Sequence, residues 1–169
     1  MCSTSAVSSQ VPSSKSDAPG RTSTSTIEFP YTRTLGPVYG AFLTGMRDGR
    51  ILGMPKADGS VLCPPTEWDP DTGAALTDDL VEVGPGGEVT TWAWVTEPTR
   101  KHPLDHPFAF ALIRLDGAST GLLHAVDAGA IDAMHTGMRV VPRWKDERIG
   151  LITDLEAFVP AADGGGGDA

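Results

Sequence analysis

The sequence predicts a mainly β protein, a five-stranded OB-fold barrel preceded by an N-terminal helix and a degenerate, zinc-free ribbon. The 20 glycines and 14 prolines among 169 residues favour short strands and frequent turns. Apolar residues recur at helical spacing within residues 30–49, and five strand-like patterns follow residue 79. A hydrophobic content of 40% is enough for one core.

The barrel is predicted over residues 79–160 from the order of its elements. Strand patterns occupy residues 80–98, 107–116 and 119–127, a short helix-like pattern follows, and two further strands complete the segment. Three strands, a helix and two strands is the element order of an OB-fold. Three glycines in the first strand predict a bend or bulge: Gly84, Gly86 and Gly87.

Four aromatic residues lie on the first two predicted strands. Strict alternation puts Trp92 and Trp94 on one face, opposite the odd-numbered residues of 89–95. Phe108 and Phe110 follow in a strand whose two faces are both apolar. Because a closed small barrel buries one face of each strand, the surplus apolar face should meet the ribbon, a partner or an acyl chain.

The helix is predicted within residues 30–49. Pro37 suits the first helical turn and Gly49 suits the C-terminal end. One apolar stripe recurs at a spacing of four residues: Val38, Phe42 and Met46. The helix either packs on its own domain or docks onto a partner. We expect docking, because a short appendage has little core of its own to cover.

Residues 50–78 form a ribbon-like segment in this interpretation. Two short strands flank a turn at Asp58-Gly59, and the pair Pro64-Pro65 ends the second strand. The run "DPDTG" predicts a second tight turn. The segment therefore consists of two turns on either side of a proline pair.

Charge and composition limit the function classes. Lys plus Arg number 13 against 22 Asp plus Glu, a formal charge of −9, which disfavours binding to free nucleic acid. No apolar run is long enough to span a membrane. With only Cys2 and Cys63, a structural disulfide is not expected. We expect a soluble, cytoplasmic protein with a disordered tail at 1–29 and a flexible tail at 161–169.

Four stretches together carry a family resemblance: "LGPVYGAFLTGMRDGRILG", the Pro-Pro ribbon, "PFAFALIRLDGASTGLLHAV" and "GMRVVPRW". Their combination resembles the zinc-ribbon/OB-fold family, long labelled a domain of unknown function, that accompanies thiolase-like enzymes. The resemblance extends over residues 30–160. It implies a hetero-oligomer with a thiolase-like, sterol-carrier-protein-type subunit that carries the chemistry on an acyl-CoA, in steroid side-chain or lipid degradation. This chain would support folding of its partner and help shape the acyl-CoA site.

The ribbon departs from the family pattern. Four cysteines normally hold its zinc, whereas the equivalent positions here are Pro55, Asp58, Asp69 and Thr72. We expect no zinc and no other cofactor, apart from a CoA thioester bound together with the partner. Trp68, the prolines and a partner surface are the candidates for holding the ribbon.

No catalytic residue is predicted, and the candidate site residues are contacts for a partner or for acyl-CoA. They are Phe42, Met46, Trp68, Trp92, Trp94, Phe108, Phe110 and Arg139. Arg139 and Arg143 lie on the fourth barrel strand, where they could contact CoA phosphates or form salt bridges with nearby acids.

Two other function classes remain open at this point. OB-folds commonly bind single-stranded nucleic acid through stacked aromatic residues and a basic groove; the aromatic residues permit this function and the negative charge opposes it. An independent enzyme could use the cluster of His102, Asp105 and His106, although the prolines around it indicate a loop and no further metal ligand is evident.

Overall fold

The computed structural model describes residues 34–162. The predicted tail at 1–29 and the part of the tail 161–169 that begins at residue 163 lie outside the described residues. The described chain consists of one helix, a small three-stranded sheet and a closed five-stranded barrel. Among these residues no helix is long and apolar enough to cross a bilayer.

The single α-helix of the described residues, α1, spans Gly36–Arg47. Pro37 stands in its first turn and Gly49, with φ of 75°, follows its C-terminal cap, as the sequence predicts. The stripe of Val38, Phe42 and Met46 is buried against the chain's own core. The stripe therefore packs on its own domain, which is the first of the two alternatives, and docking of the helix onto a partner stays a prediction.

Two short strands of the ribbon-like segment and the first strand after it form an antiparallel sheet, with the first of the three strands in the centre. These are β1 at Ile51–Pro55, β2 at Val61–Leu62 and β3 at Val81–Val83. The predicted turn between the first two strands is present, with Gly59 at φ of 84°. Beyond the end of β2, the hydroxyl of Thr120 binds both backbone groups of Cys63 and fastens the strand to the barrel.

The first predicted barrel strand is two strands. Its beginning, β3, pairs with β1 of the ribbon sheet rather than with the barrel. Gly84, with φ of 85°, allows the chain to turn between them because a backbone at positive φ strains any residue with a Cβ. The glycine signal was therefore correct, but it marks a change of sheet.

The barrel has the closed order β4-β5-β6-β8-β7, in which only the β6–β8 pairing is parallel. This arrangement confirms the predicted OB-fold, with a 3₁₀ turn at Ile131–Ala133 in place of the short helix. Its strands are β4 at Gly87–Val95, β5 at Phe108–Leu115, β6 at Gly121–Val126, β7 at Arg139–Trp144 and β8 at Leu155–Pro160.

A bulge in β4 overturns the predicted assignment of its faces. Val89 pairs with Ile113 and Thr91 with Leu112, so Thr90 is an extra residue that shifts the alternation by one. Beyond it, Trp92 and Trp94 lie on the same face as Val89 and pack on the main core. Strict alternation put the two tryptophans opposite Val89, and that assignment was wrong.

Candidate functional site

The two turns of the ribbon meet at the side chain of Lys56. Its Nζ lies 3.5 Å from Asp58 Oδ2 in the first turn, and 3.4 Å from Asp69 Oδ1 and 2.5 Å from Asp71 Oδ2 in the second. The lysine side chain is only 8% exposed. A lysine ammonium thus stands between Asp58 and Asp69, two of the four positions that the resemblance would assign to zinc ligands.

The pKa shifts in this cluster favour the charged forms, so ion pairs link the two turns of the ribbon. The hydrogen bond to Asp71 is the main cause that raises the pKa of Lys56 above its ordinary value. Hydrogen bonds from Ser60 lower the pKa of Asp58, and the backbone N–H of Asp71 is the main cause that lowers the pKa of Asp69. Lys56, Asp58 and Asp69 are therefore charged at neutral pH.

These residues do not fit a zinc ion. The ammonium fills the space between the carboxylates, and three carboxylate side chains form a hard donor set that is unsuited to structural zinc. Pro55 has no donor side chain, and Thr72 Oγ1 accepts a hydrogen bond from the Ala74 backbone. Within residues 34–162 no group of His, Cys, Asp and Glu is arranged to hold a metal.

Most predicted contact residues point inward. Met46 and Phe108 are fully buried and Phe42 is 5% exposed, so these side chains have almost no surface left for a partner. Trp92 and Trp94 are half-buried against the main core, and Phe110 packs beside Phe108. Their assignment as partner contacts stays a prediction. A partner would reach these side chains only after a conformational change that exposes them.

Trp68 is the exception, because 60% of it is exposed. It pairs with Ala75 across the second ribbon turn and lines a cavity of about 360 Å³ beside Pro37 and Val38. The residues that line this cavity with it come from α1 and the ribbon segment, and none belongs to the barrel. A partner contact remains open to it.

An apolar groove that the described residues 34–162 leave exposed lies between α1, the ribbon and β6. Its volume is about 450 Å³. Four of its side chains are widely exposed, with Leu123 at 62% and Leu35 at 50%. The groove is lined by Leu35, Tyr39, Phe42, Leu43, Pro64, Gly121, Leu122, Leu123 and Ile152.

The loop before β8 extends this apolar surface. Ile149 and Leu151 are exposed at 69% and 47%, and they precede the groove residue Ile152. Asp154 shapes the loop, since its carboxylate accepts backbone N–H bonds from residues 149, 150 and 151. Burial alone would raise the pKa of Asp154, but these three amides hold it below its usual range. The exposed side chains thus stand on an ordered loop.

The arginines of β7 are engaged in salt bridges. Arg139 makes two bonds with Asp116, of 2.8 and 2.5 Å. Arg143 donates to Asp127 at 2.9 Å and to Glu156 at 2.6 Å. The salt-bridge alternative is therefore the one observed. Guanidinium groups neutralised in this way do not make the basic groove that a nucleic-acid binder needs, so that function is not favoured.

The three residues of the alternative independent enzyme, His102, Asp105 and His106, line one cavity, and both histidines have structural hydrogen-bond or ion-pair partners. His102 Nδ1 accepts the backbone N–H of Thr99 at 2.8 Å. His106 lies between two carboxylates, with Nδ1 at 3.1 Å from Asp105 and Nε2 at 3.2 Å from Asp127. Both side chains thus have structural contacts.

Sequence reasoning missed Lys56 and, apart from Phe42, the groove residues. Tyr39 and Leu123 belong to a helix and a strand whose patterns were interpreted for their buried faces. The signal that could have found Lys56 is its position as the one basic residue among Asp58, Asp69 and Asp71 in the ribbon turns.

The barrel matches a known family, and the fold matches solved structures. The family model described as the C-terminal OB-fold domain of ChsH2 matches residues 80–145. A solved Ltp2-ChsH2(DUF35) aldolase is 22% identical, with a TM-score of 0.56 over 78% of this chain and all of that one. A DUF35-family protein of unknown function from Sulfolobus solfataricus is 19% identical, with a TM-score of 0.51 over 63% of this chain and 78% of that one.

No curated protein sequence matches significantly. At these identities the two structures show a common fold. The family match covers the barrel from its approach strand β3 to the end of β7. Residues 80–145 therefore match a family model of an OB-fold domain, in agreement with the resemblance expected from the sequence for this part of the barrel.

Proposed function

We propose that this chain is a non-catalytic accessory subunit of a thiolase-like or aldolase complex that acts on an acyl-CoA. The partner subunit carries the chemistry. This chain binds it, supports its folding and helps to shape the acyl-CoA site. The partner class comes from the sequence resemblance, and the likeness to a solved Ltp2-ChsH2 aldolase supports it.

The observation that carries the proposal is the uncovered apolar groove. Leu35, Tyr39, Leu123 and Ile152 are each at least 41% exposed and line one groove on three different elements. Large apolar side chains gathered on one surface are typical of a site that a partner covers. A chain that acts alone would leave this surface in water at a cost in solubility.

The reactive groups of the chain also suit a subunit without chemistry of its own. Cys63 is fully buried, and burial raises the pKa of its thiol to about 12, which leaves almost no thiolate at neutral pH. His102 and His106 are occupied by a backbone amide and by two carboxylates. The described residues thus offer no activated nucleophile.

In this proposal the partner subunit supplies the main contacts to the acyl-CoA. Steroid side-chain or lipid degradation is the expected setting, by the same resemblance. Arg139 would contact a CoA phosphate only by giving up its bidentate pair with Asp116. We therefore place the phosphate contacts on the partner and assign the apolar groove of this chain to the subunit interface.

The proposal is tested by co-expressing the chain with a thiolase-like protein of the sterol-carrier-protein type from the same genome. A stable hetero-oligomer in size-exclusion chromatography, with more soluble and more active partner than in its absence, is the expected result. If the two proteins elute separately, and the partner is equally soluble and active alone, the proposed function fails.

A further inference from the structure

Residues 99–106 form a strap across the outside of the barrel. They lie in the connection between β4 and β5. Leu104 of this strap is 7% exposed and packs with Phe108, Ala125 and Ala157, which belong to three different strands. The strap therefore supplies the cover for the surplus apolar face that the sequence predicts on β5.

A second contact of the strap is aromatic. The ring of His102 meets Phe108 and Phe110 edge-on, with centroids 5.8 and 6.1 Å apart. Phe108 and Phe110 in turn form an edge-to-face pair at 4.9 Å. Two side chains of the strap, Leu104 and His102, thus lie against one apolar cluster on the outer face of the barrel.

The polar attachment of the strap to the strands is His106. Its Nε2 lies 3.2 Å from Asp127 at the end of β6, while its Nδ1 lies 3.1 Å from Asp105 of the strap itself. Only a protonated imidazole can donate a hydrogen bond to both carboxylates, because the neutral ring has one N–H and one lone pair. Two carboxylates facing the two ring nitrogens therefore favour the charged form of His106.

Asp127 has a second cation, so the loss of His106 does not leave its carboxylate unpaired. Arg143 of β7 donates to Asp127 at 2.9 Å and to Glu156 of β8 at 2.6 Å. When His106 leaves, Asp127 stays paired and hydrogen-bonded, so no buried charge is left without a partner. The strap can part from the strands without breaking the barrel's own salt bridges.

A cavity already separates the strap from these strands. Its volume is about 530 Å³. The charged and titratable side chains that line it come from the strap, β7 and β8: Arg100, His102, Asp105, His106, Arg143 and Glu156. The strap is thus supported at Leu104 and at His106, with open space between it and Arg143.

We propose that residues 99–106 are a pH-sensitive cover that is closed while His106 is protonated and opens when His106 loses its proton. Opening uncovers Phe108 and Phe110, two residues that the sequence assigns to partner or acyl-CoA contact. The inference stands on the geometry of the strap and does not depend on the proposed function.

The direction of the pH dependence follows from the two carboxylates. Hydrogen bonding of the imidazolium to Asp105, and then to Asp127, raises the pKa of His106 above its ordinary 6.5. Because the pKa is raised in the folded state, the attachment of His106 to the two carboxylates is fully formed below pH 6.5. It is lost as the pH rises through the folded-state pKa of His106. Because His106 is 46% exposed, solvent weakens this attachment, and the effect should be confined to the strap.

The test is amide hydrogen exchange of residues 99–106 in the full chain, corrected for intrinsic rates, at about pH 6 and about pH 8.5, on either side of the shifted histidine pKa. The strap of the wild type should lose protection several-fold at the higher pH, whereas β1 should not change. His106→Gln should be poorly protected at both pH values, and His106→Arg, which keeps the charge, should be protected at both.

Leu104→Ala is a second variant, because it weakens the cover without touching the titrating group. It should lower the protection of the strap at both pH values and keep the pH dependence. Wild-type protection that does not change with pH would overturn the proposal. A His106→Gln variant that keeps the wild-type pH response would overturn it too.

Discussion

Replacing Leu123 separates the stability of the chain from its assembly. Leu123 lies in the middle of β6 and lines the apolar groove, and 62% of it is exposed. Because so little of it contributes to the core, Leu123→Ala should change the free energy of unfolding of the isolated chain by less than about 1 kcal/mol. The same residue should matter much more in the complex.

The magnitude in the complex follows from the exposed fraction. Burying a whole leucine side chain is worth about 2.5 kcal/mol, and 62% of that is about 1.5 kcal/mol. Leu123→Ala should therefore weaken binding to the partner about tenfold. Leu123→Glu should weaken it about 100-fold or more, because a carboxylate would be placed in an apolar interface.

The measurement is isothermal titration calorimetry of each variant against the purified thiolase-like partner, beside urea unfolding of the free chain. Ile131→Glu is the matched control, since Ile131 is 48% exposed but lies in the 3₁₀ turn outside the groove. If Leu123→Glu binds as tightly as the wild type, or if Ile131→Glu weakens binding equally, the groove is not the interface.

Three further predictions concern the interior and the ribbon. Lys56→Met should lower the midpoint of thermal unfolding, because Asp69 loses its cation. Added zinc should not restore the wild-type midpoint. An unchanged midpoint would show that the ammonium does not link the two turns. Met46→Ala should cost about 3 kcal/mol in urea unfolding, because Met46 is fully buried, and a loss below about 1 kcal/mol would contradict its place in the core. In a Cys2→Ser background, Cys63 should react with a thiol reagent at about pH 8 only after unfolding. Rapid labelling of the folded chain would contradict the raised pKa of about 12 of the Cys63 thiol.

The barrel was predictable because its signal is the order of its elements. Each strand carries an apolar pattern, and the sequence of three strands, a short helix and two strands survives small errors at element ends. The faces of β4 were not predictable by alternation, since the bulge at Thr90 exchanges them and nothing at Thr90 itself marks a bulge. The glycines that suggested a bend mark the earlier change of sheet at Gly84.

The helix was also predictable only in part. Its ends and its buried stripe follow from Pro37, Gly49 and a spacing of four residues. Whether that stripe meets the same chain or a partner depends on the tertiary packing around Met46 and Phe42, which a local pattern does not contain. The exposed side of α1, with Leu35 and Tyr39, became visible only in the structure.

The candidate site was the least predictable part. Aromatic residues were chosen because they are large and apolar, which describes core and interface side chains equally well. The groove depends on three elements far apart in sequence, with Tyr39 on α1, Leu123 on β6 and Ile152 before β8. The link at Lys56 also joins residues brought together by folding, although its charge pattern is visible in the sequence.

Assembly with a thiolase-like partner tests the central claim most directly. Co-expressed and purified through a tag on the partner, the wild-type chain should elute with it as one hetero-oligomer in size-exclusion chromatography with light scattering, and Leu123→Glu should be lost from that peak. Elution of the wild-type chain as a separate monomer, with the solubility and activity of the partner unchanged, would contradict an accessory subunit.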